Sequence, residues 1–142
     1  MKSDSIFSAS VVVCESVLAE ESGLLTAVRI LDTITIGAGS NTVHFFSITI
    51  LHSKPLDFFK HKLRVTMDKF RNGNWETVAA APDLEFAFGH KLSLAAPGGV
   101  TLRTEFNVDI NTLGELGTFF VQAWLDGVRV ASTPLTLRQQ PH

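Results

Sequence analysis

Five histidines, one cysteine and a scatter of carboxylates are the residues of this 142-residue chain whose chemistry reaches beyond packing. His44 and His52 are an even number of residues apart, so one strand would present both on the same face. His61 opens the next apolar stretch. If the 53–60 loop folds back, His52 and His61 approach each other. With a carboxylate such as Asp57, two imidazoles would make a zinc- or iron-type donor set. The spacings match no known ligand signature, and histidines at strand ends are ordinarily exposed polar residues. His44, His52, His61 and Asp57 are therefore weak metal candidates, and no cofactor is predicted. Cys14 would need a nearby base or a helix N-terminus, and exposure, to act as a nucleophile. It follows Val11-Val12-Val13, so a buried inert thiol is expected. Asp32, Asp57, Asp83, Asp109 and Asp126 stand singly near strand ends, which fits turn chemistry and not a calcium cluster. Gly37-Ala38-Gly39 and Pro97-Gly98-Gly99 lack the Lys-Ser/Thr of a Walker loop and the third glycine of a dinucleotide fingerprint, and read as turns. No catalytic residue is singled out, and the balance leans away from an enzyme.

The stretch over residues 114–137 is more informative. It reads as two strands joined at Asp126-Gly127, a dipeptide whose positions tolerate positive φ and so suit a tight hairpin. Phe119, Val121, Ala123 and Leu125 fall on one face, and Phe120, Gln122, Trp124 and Asp126 on the other. An exposed aromatic on that mixed face would mark a contact surface, whereas cover from the chain's own loops would make it ordinary packing. In the second strand the inward phase shifts between Val130 and Leu135 around Pro134, the mark of a bulged or edge strand. Edges pair with partners or with a second copy. Phe120, Gln122, Trp124, Val128 and Val130 are the expected partner contacts.

The rest of the chain must position these residues, and it too reads as strands. Strands are expected at 8–14, 24–36 with a bend near Asp32, 42–51, 61–70, 75–78, 84–94 with a bulge at Gly89-His90, and 100–110. A connector with one helical turn is expected over 15–22, closed by Gly23. If the first two strands pair directly, Cys14 faces Ile30 and Glu15 faces Arg29. Asn72-Gly73 marks another hairpin, and Pro82 interrupts a ladder. Residues 1–7 and 138–142 are expected to be tails.

This spacing predicts an all-β fold: a two-sheet antiparallel sandwich of eight or nine strands, immunoglobulin-like or a related Greek key, in one domain over 1–142. Residues 115–121 mimic the immunoglobulin corner, with Phe119 at the tyrosine position and Val121 at the cysteine position. The corner's defining hydrogen bond needs a hydroxyl that Phe119 lacks.

Composition limits the function classes. Apolar residues at 45% and charged residues at 18% exclude a disordered chain. A net charge of −2 supplies no basic field, so nucleic-acid binding is not expected. Eleven Phe, two Trp and no Tyr suit a sandwich interior and argue against a sugar-binding surface. A single cysteine excludes an intrachain disulfide and favours a reducing cytoplasm. Asp4 in the would-be basic region and Glu15 after a short apolar run argue against a signal peptide. No apolar run reaches membrane-spanning length.

Three pieces, VVVCES near the start, LLTAVRILDTITI after a glycine, and TFFVQAWLDGVRVASTPLTL near the end, resemble an uncharacterised bacterial family of small β-sandwich proteins, a domain of unknown function. The resemblance covers both ends of the chain and implies a bacterial β-sandwich. It implies no activity and no site residue. The expectation is a non-catalytic binding or assembly module acting on a protein partner or on itself through a sheet face or edge. The alternatives are a metal protein or enzyme using His44, His52 and His61, and a structural component of a larger bacterial or phage assembly.

Overall fold

A computed structural model describes residues 6–22, 24–54, 59–88 and 99–141, with the side chains of 6 and 7 excepted. The first five residues, Gly23, Asp57 and the 89–98 stretch with Gly89-His90, Leu92, Leu94 and Pro97-Gly98 lie outside them.

Ten strands run along the described chain: β1 (Ile6–Ala19), β2 (Leu25–Ile30), β3 (Thr33–Ile36), β4 (Thr42–Ser53), β5 (Lys60–Arg71), β6 (Asn74–Ala80), β7 (Leu84–Ala87), β8 (Gly99–Asp109), β9 (Thr118–Leu125) and β10 (Val128–Gln139). A single 3-10 turn, Ile110–Thr112, is the only helical element among the described residues. No described helix is long and apolar enough to cross a membrane. The strands form a four-stranded sheet, β2-β1-β4-β8, and a six-stranded sheet, β3-β10-β9-β5-β6, with β7 also on β5. The β-sandwich predicted from the sequence is thus present.

Its centre is an interlocked pair of crossings. β4 and β8 are neighbours in the smaller sheet, and each is followed by a strand of the larger sheet, β5 or β9; β5 and β9 are neighbours there. Phe45, Leu51, Leu63, Met67, Phe119, Val121, Leu125 and Leu135 fill the space between the sheets, none more than 1% exposed. Phe45 stacks on Phe106 with ring centroids 4.9 Å apart. The alternation in β9 is as expected: Phe119, Val121, Ala123 and Leu125 are all buried inward.

Both two-residue hairpins form. Asn72 (φ 53°) and Gly73 (φ 80°) join β5 to β6, and Asp126 (φ 50°) and Gly127 (φ 87°) join β9 to β10. Both central φ values are positive, as a type I′ turn demands. The register expected for the first two strands also forms. Cys14 lies opposite Ile30, and the Arg29 guanidinium donates to Glu15 at 3.0 Å.

Several expectations are corrected. The 15–22 connector has no helical turn; β1 continues as strand to Ala19, a turn follows at 21–22, and β2 begins at Leu25. The 24–36 stretch is not one bent strand. It breaks at Leu31-Asp32 and changes sheets: the Leu31 N–H donates to the Val13 carbonyl on β1, and the Asp32 carbonyl accepts from Thr136 N–H on β10. β3 then pairs with β10 in parallel, Thr33 opposite Thr136. β10 therefore has a neighbour on each side at Thr136, and the strand itself runs to Gln139 where a tail was expected. Over 128–135, no described strand pairs with the side of β10 away from β9, so the expected edge is confined to that half. The corner around Phe119 is tied without a tyrosine. The Lys69 ammonium lies 5.2 Å from the Phe119 ring centroid and donates to the Glu115 carbonyl.

Candidate functional site

The outer face of the six-stranded sheet is built by the even-numbered residues of β5 and β9. On β5 these include Lys62, Arg64, Thr66, Asp68 and Phe70; on β9 they include Phe120, Gln122 and Trp124. Arg64 stands opposite Trp124, Thr66 opposite Gln122, and Asp68 opposite Phe120. An outer face is normally where polar groups meet water. Here Thr66, Asp68 and Gln122 are at most 2% exposed, and their polar atoms serve one another.

Asp68 is the hub. Its Oδ2 accepts from Thr66 Oγ1 at 2.8 Å and from the Gln122 amide, and its Oδ1 accepts from Thr77 Oγ1 at 2.7 Å. Thr66 in turn accepts from the Trp124 indole N–H at 2.9 Å, and Gln122 Oε1 accepts from the Arg129 guanidinium at 3.0 Å. Every buried polar atom of the cluster is thereby satisfied, which such a site requires to be stable. Satisfied networks of this kind also fix rotamers, so the surface above is held in one arrangement.

Above this polar floor stand aromatic rings. Trp75 meets Phe70 and Phe120 edge-to-face at centroid distances of 5.1 and 5.2 Å, and the Arg129 guanidinium lies 5.9 Å from the Trp75 centroid. Phe70 is 54% and Trp75 45% exposed. Large apolar rings left in water beside a fixed polar floor are the informative exception to ordinary burial.

Beside Trp124 the face opens into a groove of about 400 Å³, lined by Lys62, Arg64, Thr66, Thr77, Asp83, Trp124 and Gly127. Its cause is local. β6 and β7 both pair with β5, but the chain leaves that ladder between them at 81–83, after Ala81 N–H donates to the Val65 carbonyl. Pro82 has no N–H to continue the pairing. A neighbouring hollow of about 380 Å³ holds Lys60, Glu85 and the β9–β10 turn. There His61, 2% exposed, donates from Nδ1 to Asp126 Oδ2 at 2.7 Å. Asp126 Oδ1 accepts from the Lys62 backbone N–H at 3.0 Å. Phe86 and Phe88 flank the imidazole at 5.6 and 5.3 Å. This pair fastens the hairpin turn to β5. Among the described residues that line that hollow none is a serine, threonine or cysteine.

The three candidate metal histidines are not brought together. His44 is on the outer face of the smaller sheet and meets Glu105 at 3.1 Å. His52 shares a hydrogen bond with Ser8 at 3.2 Å. His61 points into the sandwich from the other sheet. Among the described residues no group of three or more His, Cys, Asp or Glu side chains is placed to hold a metal ion; Asp57 is outside them. Cys14 is fully buried, and burial pushes its thiol pKa up, which keeps it protonated and unreactive.

Of the expected partner contacts, Phe120 and Trp124 are half-buried on the outer face, and Gln122 is part of its buried floor. Val128 is 38% exposed but stands opposite inward-facing Leu125. Val130 falls in the bulge between Arg129 and Ala131 and packs against the core. Sequence reasoning missed Asp68, Thr77, Arg129, Phe70 and Trp75. The one available signal was the outward phase of Thr66 and Asp68 on β5.

No protein-family model and no curated protein matches the chain. Solved structures share the fold at low identity. The chain superposes on a DNA-bound alkylpurine DNA glycosylase, AlkC, of Pseudomonas fluorescens with TM-score 0.51 and 13% identity, over 92% of this chain and 30% of that one. It superposes on a cross-linked adhesin of Mobiluncus mulieris with TM-score 0.51 and 9% identity, over 94% of this chain and 58% of that one. A CARDB domain from Pyrococcus furiosus, in complex with di-metal ions, matches with TM-score 0.46 and 10% identity over 94% of this chain. The chain thus spans less than a third of the glycosylase and somewhat over half of the adhesin. At these identities the likeness is one of fold.

Proposed function

We propose that this β-sandwich is a non-catalytic binding module that engages its partner through the outer face of the six-stranded sheet. The observation that carries this reading is the pairing of a buried, fully satisfied polar floor with exposed Phe70 and Trp75. A fixed surface loses little side-chain freedom on binding, and exposed rings supply apolar area; together these are the conditions of a hot spot.

The chain's two tryptophans, Trp75 and Trp124, both belong to this face, so indole signals report on it directly. The test is selection of a random dodecapeptide display library on the immobilised full chain, followed by rebinding to the Phe70→Ser/Trp75→Ser double variant. Clones that bind the parent and lose the double variant are expected. Clones that bind both equally would contradict the reading.

A further inference from the structure

We infer that the occupant of this face is an extended acidic peptide carrying apolar side chains. Its carboxylates would sit on Lys62 and Arg64, and its apolar residues on Trp124 and the Phe70–Trp75–Phe120 rings. The inference rests on the reading above and adds the ligand's chemistry.

The argument is an inventory of what the face still offers. Its neutral donors are spent: the hydroxyls of Thr66 and Thr77 and the amide of Gln122 all go to Asp68, and the Trp124 indole N–H goes to Thr66. What remains is cationic and aromatic, with one carboxylate, Asp83. Lys62 and Arg64 are exposed, line the groove beside Trp124, and have no side-chain hydrogen bond or ion pair among the described residues. A carboxylate is the natural partner for an exposed guanidinium beside an ammonium.

The acids around the groove set the other limit. Asp83 lines it, and Glu85 and Asp126 line the adjoining hollow. A phosphate at every step of a nucleic-acid strand would face these carboxylates, and the chain's net charge of −2 provides no compensating field. A peptide with one or two acids in register with Lys62 and Arg64 avoids them. From Lys62 to Phe70 the outward residues of β5 span about 26 Å, the length of about eight residues of extended chain. Lys62 and Arg64 stand at one end, and the exposed rings, with Arg129 over Trp75, at the other.

The test uses the clones that bind the parent chain. Their sequences should be enriched in Asp and Glu together with aromatic or aliphatic residues. A synthetic peptide made from such a clone should move both indole signals. It should bind Lys62→Glu/Arg64→Glu several-fold more weakly, by up to about fivefold for each exposed pair lost, and weaken as salt rises. Both substitutions are at exposed positions, and an unchanged thermal midpoint would show that the fold is intact.

Clones that need the rings but carry no acidic excess, or whose binding ignores the charge reversal, would overturn the acidic-peptide assignment and leave the face as the binding surface. A thymidylate dodecamer or a cello-oligosaccharide that moves both indoles, where the acidic peptide does not, would overturn it likewise. Clones indifferent to the rings and the cations alike would remove both readings.

Discussion

The two outer faces of this sandwich bury opposite kinds of residue. On the four-stranded sheet the outward row of β4 is His44, Phe46, Ile48, Ile50 and His52. Ile48 lies between Val12 and Arg103, Cys14 between Ile30 and Phe46, and Ile48 and Cys14 are nearly or fully buried. Its buried outer residues are apolar and make no directional demand. On the six-stranded sheet the buried outer residues are Thr66, Asp68 and Gln122, which hold one another by hydrogen bonds while the rings stay in water. The difference teaches that burial on an outer face has two meanings. Apolar burial adds stability, whereas a closed polar network specifies geometry, and geometry is what a recognition surface needs.

The largest effect that would sharpen this contrast is expected from Asp68→Ala. It removes the acceptor of two buried donors, the Thr66 hydroxyl and the Gln122 amide, each costing about 1–3 kcal/mol when left unpaired, and of the exposed Thr77 hydroxyl. Relaxation of the network should bring the total to about 4 kcal/mol in urea unfolding. A loss under about 1 kcal/mol would mean that the network is incidental.

Ile48→Ala is the matched change on the other sheet. Truncating a buried isoleucine there should cost about 2–3 kcal/mol. It should leave peptide binding untouched, whereas Asp68→Ala should weaken both. Equal effects of the two variants on binding would break the comparison.

Trp75→Ser should cost only about 1 kcal/mol of stability, the worth of its edge-to-face contacts, yet abolish binding of the selected peptides. A variant that binds normally would show that the rings are not the contact.

The smallest effect concerns Cys14. Its thiol pKa is raised by burial, so the folded chain holds it protonated where an unfolded chain would begin to ionise near 9.0. Its contribution to stability is therefore present below that pH and lost as pH rises through the folded value. At pH 8 a disulfide reagent should label it only as the chain opens. Labelling at the rate of a free thiol would show the smaller sheet's outer face to be open.

Local pattern carried much of this fold. The alternation of Phe119 to Leu125, the Asp126-Gly127 and Asn72-Gly73 turns, and the facing of Cys14 with Ile30 were all legible, because each depends on neighbours in sequence or on one short connection. The break at Leu31-Asp32 was not legible. Whether the chain bends within a sheet or changes sheets is decided by β10, about a hundred residues later, which accepts β3 in parallel. The phase of β4 was ambiguous for a different reason. Phe45 and Phe46 are both aromatic, Ile48 is buried although it faces outward, and the inward row includes Ser47, Thr49 and Ser53. The candidate site was half legible. Trp124 and Phe120 marked the face. Asp68 gave only its outward phase on β5, since its partners Thr66, Thr77 and Gln122 come from three strands that only the folded sheet brings together.

The most direct test of the account is a titration of the isotopically labelled chain with a selected acidic peptide, following the two indole N–H signals and the isoleucine methyls together. The account predicts that the Trp75 and Trp124 signals move with a common dissociation constant while the Ile30 and Ile48 methyls stay fixed. Movement of those methyls with stationary indoles would place the binding surface on the smaller sheet and contradict it.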